Sequence, residues 1–188
     1  MVVSMAALPD FTTYGVLPPG EYPITLEELE NSYLVFGPPA PNLPSSWDVA
    51  WRRQLVANLR IMVGQLRRIG ISEIFIDGSF VEDKDHPNDI DGYFACDPRY
   101  FAQGHLEHDL NLIDPAKCWT WAPASRTYSR GSSKFQLPMW HTYRVELYPH
   151  FTGLIAGHDE FGQPLEFPAF FRKCRRNNRP KGILKIVN

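Results

Sequence analysis

The chain has 188 residues, a formal net charge of −2, and a composition that is 44% hydrophobic and 13% aromatic. This length suits one domain with a sizeable core, and the hydrophobic content excludes an intrinsically disordered chain. The near-neutral charge excludes a global electrostatic field that recruits nucleic acid, so any contact with a polyanion has to be local.

Cysteine usage and hydropathy indicate a reducing compartment. Cys96, Cys118 and Cys174 are widely spaced and form no C-x-x-C pair, which argues against a zinc site or a disulfide framework. No apolar run approaches the roughly 18 residues that a membrane span requires, and no positive charge precedes the apolar start of the chain. These features predict a cytoplasmic protein with no membrane contact and no signal peptide.

The N-terminal region predicts an arm and a short helix. Residues 1–24 are rich in proline and predict an extended, irregular arm. Thr25 and Glu28 form a capping box that begins a short helix. The proline-rich residues 37–44 then form a stiff linker.

A long amphipathic helix follows, between a second capping box at Ser45 and Asp48 and a terminating glycine, Gly70. Its apolar stripe recurs every three or four residues and is expected to pack across the sheet. The opposite face carries Arg52, Arg53, Arg60, Arg67 and Arg68. These arginines either contact nucleic acid or form a solvated helix face, and the solvated face is the favoured interpretation.

Residues 74–94 carry the pattern on which the chemistry depends. An apolar run precedes Gly78 and Ser79, and nine residues separate Ser79 from Asp89-Ile90-Asp91, which leads into a second apolar run. The pattern predicts a strand, a tight turn and a second strand. Because alternate residues of a strand point to one face, Asp89 and Asp91 are expected to project together.

Two carboxylates on one face repel each other unless a cation lies between them. Mg²⁺ prefers oxygen ligands and binds through one or two carboxylates together with substrate phosphates. Gly78 permits a close backbone approach, and the N–H groups of such a turn can hold phosphate. Adjacent metal and phosphate sites suggest a nucleoside triphosphate, whereas the plainer interpretation is a β-hairpin with a polar loop.

Gly78, Ser79, Asp89 and Asp91 resemble, in type and spacing, the signature of the DNA polymerase beta-like nucleotidyltransferase superfamily. That signature is a Gly-Ser pair after one strand and an Asp-x-Asp pair on the next. The resemblance implies a third carboxylate on a neighbouring strand, and Glu146, in the alternating segment Y-R-V-E-L-Y, fits that position. The alternative for Glu146 is an exposed strand residue.

Two positions depart from the superfamily pattern, which prefers apolar residues where this chain has Asp77 and Gly92. The chain as a whole is similar to a group of short bacterial and phage proteins with the same core. The shared features are L-P-P-G at Leu17–Gly20, the D-G-S-F turn, an E-L-Y-P-like strand and a late P-K-G-I that contains Lys181.

The segment between the two acidic strands predicts short helices and an ambiguous aromatic region. His105, His108 and Asp109 either bind a metal or form an exposed helix face, and the exposed face is favoured. The aromatic side chains of the next region are candidate platforms for a nucleobase, although packing in the core is their default role. They are Trp119, Trp121, Tyr128 and Trp140.

Arg126, Arg130 and Lys134 are spaced by four residues, with Gly131 between them. If this piece is helical, the three cations form one basic stripe that suits a triphosphate, and otherwise they are surface charges. The glycine and the neighbouring serines weaken the prediction of a helix.

The C-terminal residues 172–188 form a basic tail whose last strand, residues 182–187, is expected to join the sheet. Lys181 is a candidate phosphate ligand, because an ammonium is a compact point charge. The whole cluster either holds an RNA backbone or is solvated. Its members are Arg172, Lys173, Arg175, Arg176, Arg179 and Lys181.

Taken together, these patterns predict a single α+β domain over residues 1–188, with a small mixed β-sheet and helices packed mainly on one face. The expected function is transfer of a nucleoside monophosphate from a nucleoside triphosphate to a hydroxyl of an RNA end or a partner protein, in a toxin–antitoxin or phage-defence setting. Two Mg²⁺ or Mn²⁺ ions are expected on Asp89, Asp91 and Glu146. The phosphates are expected on Gly78, Ser79, Arg130, Lys134 and Lys181.

Two alternatives stay open at this stage. The chain could be a binding module that keeps the nucleotide pocket and engages RNA or a partner chain through its basic tail. A purely structural protein would leave the two aspartates idle.

Overall fold

The structure is a computed structural model that describes residues 8–129 and 134–188. The described strands are β1 (Glu21–Thr25), β2 (Ile74–Asp77), β3 (Ile90–Ala95), β4 (Thr127–Tyr128), β5 (Phe135–Gln136), β6 (Val145–His150), β7 (Ile155–His158), β8 (Pro164–Glu166) and β9 (Ile183–Val187). The described α-helices are α1 (Leu26–Glu30), α2 (Tyr33–Phe36), α3 (Val49–Arg68), α4 (Pro98–Ala102), α5 (His105–Ile113), α6 (Pro138–Tyr143) and α7 (Phe167–Phe171).

A five-stranded mixed sheet with the order β1-β9-β2-β3-β6 forms the centre of the fold. Strands β1 and β9 are parallel, as are β3 and β6, whereas β2 is antiparallel to both of its neighbours, β9 and β3. Two separate two-stranded ladders join β4 to β5 and β7 to β8. The predicted α+β class and mixed sheet are confirmed.

The two faces of the sheet carry different cores. On one face, alternate strand residues such as Ile74, Ile76 and Leu147 pack against the apolar stripe of α3 in the main hydrophobic cluster, to which α1, α2 and α5 also contribute. On the other face, a smaller cluster contains Phe75 and Tyr93 together with the aromatic side chains of α7. Most helices therefore lie on one face, as the sequence predicts, and α7 lies on the other.

Helix α3 begins after Asp48, whose carboxylate accepts a hydrogen bond from the Trp51 N–H, and it ends just before Gly70, which has φ +85°. Its arginines do not form one solvated face, so that prediction is wrong for Arg52. The Arg52 side chain is fully buried and donates hydrogen bonds to four backbone carbonyls at 2.5–3.2 Å. The acceptors are the carbonyls of Leu34, Phe80, Glu82 and Lys84.

The N-terminal arm and the described residues 126–129 and 134 also differ from expectation. The end of the arm is not irregular, because β1 pairs with β9 along the edge of the sheet. Thr127 and Tyr128 pair with β5 in an antiparallel ladder, because β-branched and aromatic residues favour extended structure. Arg126 and Lys134 therefore do not share a helical stripe, and Arg130 lies outside the described residues.

The helices expected between the two acidic strands are confirmed as α4 and α5. His105 and His108 are exposed on α5, and the Asp109 carboxylate accepts a hydrogen bond from the Tyr100 hydroxyl at 2.6 Å. Across the described ranges 8–129 and 134–188, no helix is both long and apolar enough to span a membrane.

Gly92 lies on the helix-covered face of β3, where the sheet leaves no room for a side chain. A Cβ at this position would overlap the carbonyl oxygen of Phe75 and crowd the side chain of Leu147. The apolar residue that the superfamily pattern prefers therefore cannot fit here without displacing the β2–β3 ladder.

We expect Gly92→Ala to lower the free energy of unfolding by roughly 1–3 kcal/mol, because the added methyl group overpacks a backbone carbonyl. The matched control is Gly64→Ala on α3, where a Cβ meets open space and alanine favours the helix by roughly 0.5–1 kcal/mol. Urea denaturation of both variants measures the two effects. Equal stability of the two variants would contradict the packing described for Gly92.

Candidate functional site

The strand register aligns three acidic residues across neighbouring strands. Asp91 on β3 pairs with Asp77 on β2 and with Glu146 on β6. Directly paired residues point to the same face of a sheet, so the three carboxylates share the face that carries α7. Asp89 immediately precedes β3, and its charge acts on Asp91. The structure therefore brings together Asp89, Asp91 and Glu146, and it adds Asp77.

The Gly78-Ser79 bend lies directly against these acids. Gly78 has φ +77°, a left-handed conformation that favours glycine, and a Cβ there would overlap the Asp91 carboxylate. A 3₁₀ turn, Gly78–Val81, follows, and Ser79 is partly exposed within it. The two halves of the sequence pattern, the bend and the acidic strand, are thus in contact.

Lys181 connects the bend to strand β9. Its ammonium lies 2.6 Å from Asp77 and 2.8 Å from Glu82, and it donates a hydrogen bond to the Gly78 carbonyl at 3.1 Å. The Asp77 contact is an ion pair without good hydrogen-bond geometry. Lys181 is only 4% exposed, so its observed contacts are internal and support the bend. Its role as a phosphate ligand stays a prediction.

Protein groups also hold Glu146. Its carboxylate accepts hydrogen bonds from the Leu137 N–H at 3.1 Å and from the Tyr148 hydroxyl at 2.6 Å. The Arg126 guanidinium approaches it to 3.8 Å and donates a hydrogen bond to Tyr148 at 3.2 Å. Sequence reasoning missed Tyr148 in this role, although its position two residues after Glu146 on one strand places both on one face.

Asp89 and Asp91 differ in their partners. The Asp89 carboxylate accepts a hydrogen bond from the indole N–H of Trp140 at 2.7 Å. Within the described chain, Asp91 forms no hydrogen bond and no ion pair through its side chain. It is therefore the acid of the aligned set whose charge is balanced only by more distant cations.

Burial and crowding by like charges change the protonation of the site. Burial raises the pKa of Asp91 to about 7, the charges of Asp89 and Glu146 add to the increase, and Arg175 and Lys181 oppose it. Burial also raises the pKa of Asp77 to about 7 against the opposing Lys181 ammonium. A divalent cation would relieve this repulsion, and carboxylate oxygens are the ligands that Mg²⁺ and Mn²⁺ prefer.

A separate question is whether metal-ligating side chains are already grouped closely enough to hold an ion. No three His, Cys, Asp or Glu side chains form a metal-binding group in residues 8–129 and 134–188. The predicted metal set of Asp89, Asp91 and Glu146 therefore stays a prediction that rests on shared face, charge and proximity.

The basic tail is largely neutralised by acidic residues of the same chain. Arg172 pairs with Glu21 at 3.2 Å, Lys173 pairs with Glu160, and Arg176 pairs with both Glu82 and Asp83. Arg175 is exposed and faces no carboxylate within ion-pair distance among the described residues, and it lies 5.6 Å from the Phe170 ring centroid. The tail is thus a partly paired surface rather than a dense free patch for an RNA backbone.

We expect the stability of the metal-free protein to fall as pH rises from about 4 to about 7. The folded protein holds a proton on Asp91 up to about pH 7, whereas the unfolded chain releases it near pH 4. Between pH 4 and pH 7, the free energy of unfolding of Asp91→Asn should fall by roughly 2 kcal/mol less than that of the wild type. Urea denaturation in a chelating buffer at several pH values measures this difference. The exposed control Asp10→Asn should show the same change in free energy of unfolding with pH as the wild type. An unchanged slope in Asp91→Asn would contradict the assignment.

Comparison with known proteins assigns a family without assigning an activity. The model of a family described as "Family of unknown function (DUF6932)" matches residues 9–187. Neither the curated proteins nor the solved structures contain a significant match. Since the match covers nearly the whole chain, the protein belongs to the DUF6932 family.

Proposed function

We propose that this protein is a metal-dependent nucleotidyltransferase that moves a nucleoside monophosphate from a nucleoside triphosphate to an acceptor hydroxyl. The observation that carries the proposal is the contact between the Asp91 carboxylate and the Gly78 bend, with Asp89 and Glu146 alongside. A phosphate-holding turn and a cluster of oxygen ligands are the two parts that such a reaction needs. The Gly78 bend and the neighbouring carboxylates of Asp91 and Glu146 would supply these two parts.

Asp89 and Asp91 are the proposed ligands of two Mg²⁺ or Mn²⁺ ions, with Glu146 as the third carboxylate. The residues fit these ions chemically, because they supply only oxygen donors and because Asp91 lacks a partner in the described chain. The bound ions would neutralise the triphosphate and lower the pKa of the acceptor hydroxyl. Backbone N–H groups of the Gly78–Ser79 bend would hold the phosphates.

In the proposed step, the acceptor oxygen bonds to the α-phosphorus while the bond from that phosphorus to the β-phosphate oxygen breaks. Pyrophosphate leaves with the electron pair, and Glu146 takes the proton of the hydroxyl. Positioning and electrostatic stabilisation supply most of the acceleration in such transfers. Lys134, Lys181 and Arg130 remain the proposed further phosphate contacts.

The proposed acceptor is an RNA end or a side chain of a partner protein. The proposed setting is a toxin–antitoxin or phage-defence system. The proposed location is the cytoplasm, in agreement with three cysteines that are all free thiols.

A second candidate function is a nucleotide- or RNA-binding module without chemistry. The observation that favours it is the engagement of Glu146, whose oxygens already accept hydrogen bonds from Leu137 and Tyr148. Carboxylate oxygens engaged in this way are less available to contact a metal ion or the hydroxyl of an acceptor. Such a module would bind nucleotide or RNA without Mg²⁺ and would release no pyrophosphate.

We expect transfer of label from an α-labelled nucleoside triphosphate to a component of cell extract in the presence of Mg²⁺, together with pyrophosphate release. The double variant Asp89→Asn, Asp91→Asn should lose on the order of 10²–10³-fold in rate, because it removes the charges that would hold the metal ions. Asp10→Asn, an exposed acid distant in sequence from the site, should retain the wild-type rate.

Persistence of full labelling in the double variant would refute the proposed enzyme. Tight nucleotide binding by calorimetry in a chelating buffer, without pyrophosphate release at any Mg²⁺ concentration, would instead establish the binding module.

A further inference from the structure

Asp89 lies outside the strand ladder that fixes the other acids. Strand β3 begins at Ile90, so backbone pairing within the sheet does not set the orientation of the Asp89 side chain. The residues before it form a loop in which His86 and Asn88 are exposed. A carboxylate in this position needs a separate contact if it is to face Asp91 in one fixed orientation.

Helix α6 supplies that contact through a buried tryptophan. Trp140 is 3% exposed, and its indole N–H donates to the Asp89 carboxylate at 2.7 Å. A short hydrogen bond to an ionised acceptor is stronger than one between neutral groups. One carboxylate oxygen is thereby held by the protein, and the second oxygen makes no described hydrogen bond.

The end of α6 reinforces this contact from two directions. The Arg144 guanidinium lies over the Trp140 ring, 3.7 Å from its centroid, and a cation over an indole draws electron density from the ring and strengthens its N–H as a donor. The Arg144 carbonyl accepts the N–H of Ile90, the residue after Asp89, at 3.0 Å. The side chain and the following backbone of Asp89 are thus both tied to one segment, residues 140–144.

Arg144 adopts a left-handed conformation, with φ +55° and ψ +35°, which is uncommon for a residue with a side chain. Such a conformation persists only where the surrounding structure holds it. Here the left-handed residue ends the helix and contributes both the ring contact and the carbonyl.

We infer that Trp140, supported by Arg144, is a positioning residue that orients the Asp89 carboxylate for a divalent cation. This inference rests on the proposed function, because it assigns to Trp140 the orientation of a proposed metal ligand. The chain also offers a matched control in Trp51, whose indole N–H donates at 2.6 Å to the Pro87 carbonyl of the same loop. The indole N–H of Trp51 therefore holds the loop through a backbone carbonyl and not through a carboxylate.

Trp140→Phe removes the N–H and keeps an aromatic ring in the core, and Trp51→Phe makes the same change at the control position. We expect calorimetric titration with Mn²⁺ to give about tenfold weaker binding to Trp140→Phe, the effect of removing a group that orients a metal ligand. The Kd of Trp51→Phe should lie within about twofold of the wild-type value. Melting temperatures of the two variants in a chelating buffer measure any general loss of structure.

A direct readout comes from the indole N–H signals of the five tryptophans in a ¹⁵N-labelled sample. The signal that disappears in Trp140→Phe identifies Trp140. Addition of Mg²⁺ should shift that signal in the wild-type protein and should not shift it in Asp89→Asn. A merely structural role of Trp140 would not produce this difference.

Two results would overturn the inference, and they are distinguishable. Equal Mn²⁺ affinity in the wild type and Trp140→Phe would remove the positioning role and leave the proposed function standing. An absence of Mn²⁺ and Mg²⁺ binding in the wild-type protein would overturn both.

Discussion

The dominant constraint on this protein is a row of three carboxylates on one face of a mixed sheet. Asp77, Asp91 and Glu146 face one another through the ladder register of β2, β3 and β6. The fold balances the two outer charges internally, with Lys181 against Asp77 and with Tyr148 and a backbone N–H on Glu146. The central carboxylate has no such partner in the described chain. A central carboxylate without a partner lowers the stability of the fold. Such a loss of stability is common where function requires a charged group.

Two buried cations, Lys181 and Arg52, keep the Gly78-Ser79 bend in place beside that acid. Lys181, just before strand β9, contacts the Gly78 carbonyl, and Arg52 on α3 holds the carbonyls of the following residues Phe80 and Glu82. The bend is thereby fixed from both faces of the sheet before any ligand is bound. Preorganisation of this kind reduces the ordering that binding would otherwise require. Asp77, at a position where the superfamily pattern prefers an apolar residue, is the buried partner of Lys181.

The sequence was sufficient for the parts of the fold that depend on local periodicity. The stripe of α3, the alternation of β3 and β6, and the proximity of Gly78 to Asp91 all follow from repeats and spacing that the chain displays. The burial of Arg52 could not be predicted, because its acceptors are backbone carbonyls that are distant in sequence and carry no residue signal. The contacts of Trp140 and Lys181 could not be predicted either, because their acidic partners are distant in sequence, 51 positions away for Asp89, and meet them only in the folded protein.

The central claim is that Asp89 and Asp91 together hold a divalent cation facing the Gly78-Ser79 bend. The most direct measurement is anomalous diffraction from crystals grown with Mn²⁺ and a non-hydrolysable nucleoside triphosphate. The account predicts a manganese peak bridged by both aspartates, with the phosphates of the nucleotide on the bend. A nucleotide bound elsewhere, or manganese that avoids both aspartates, would contradict it.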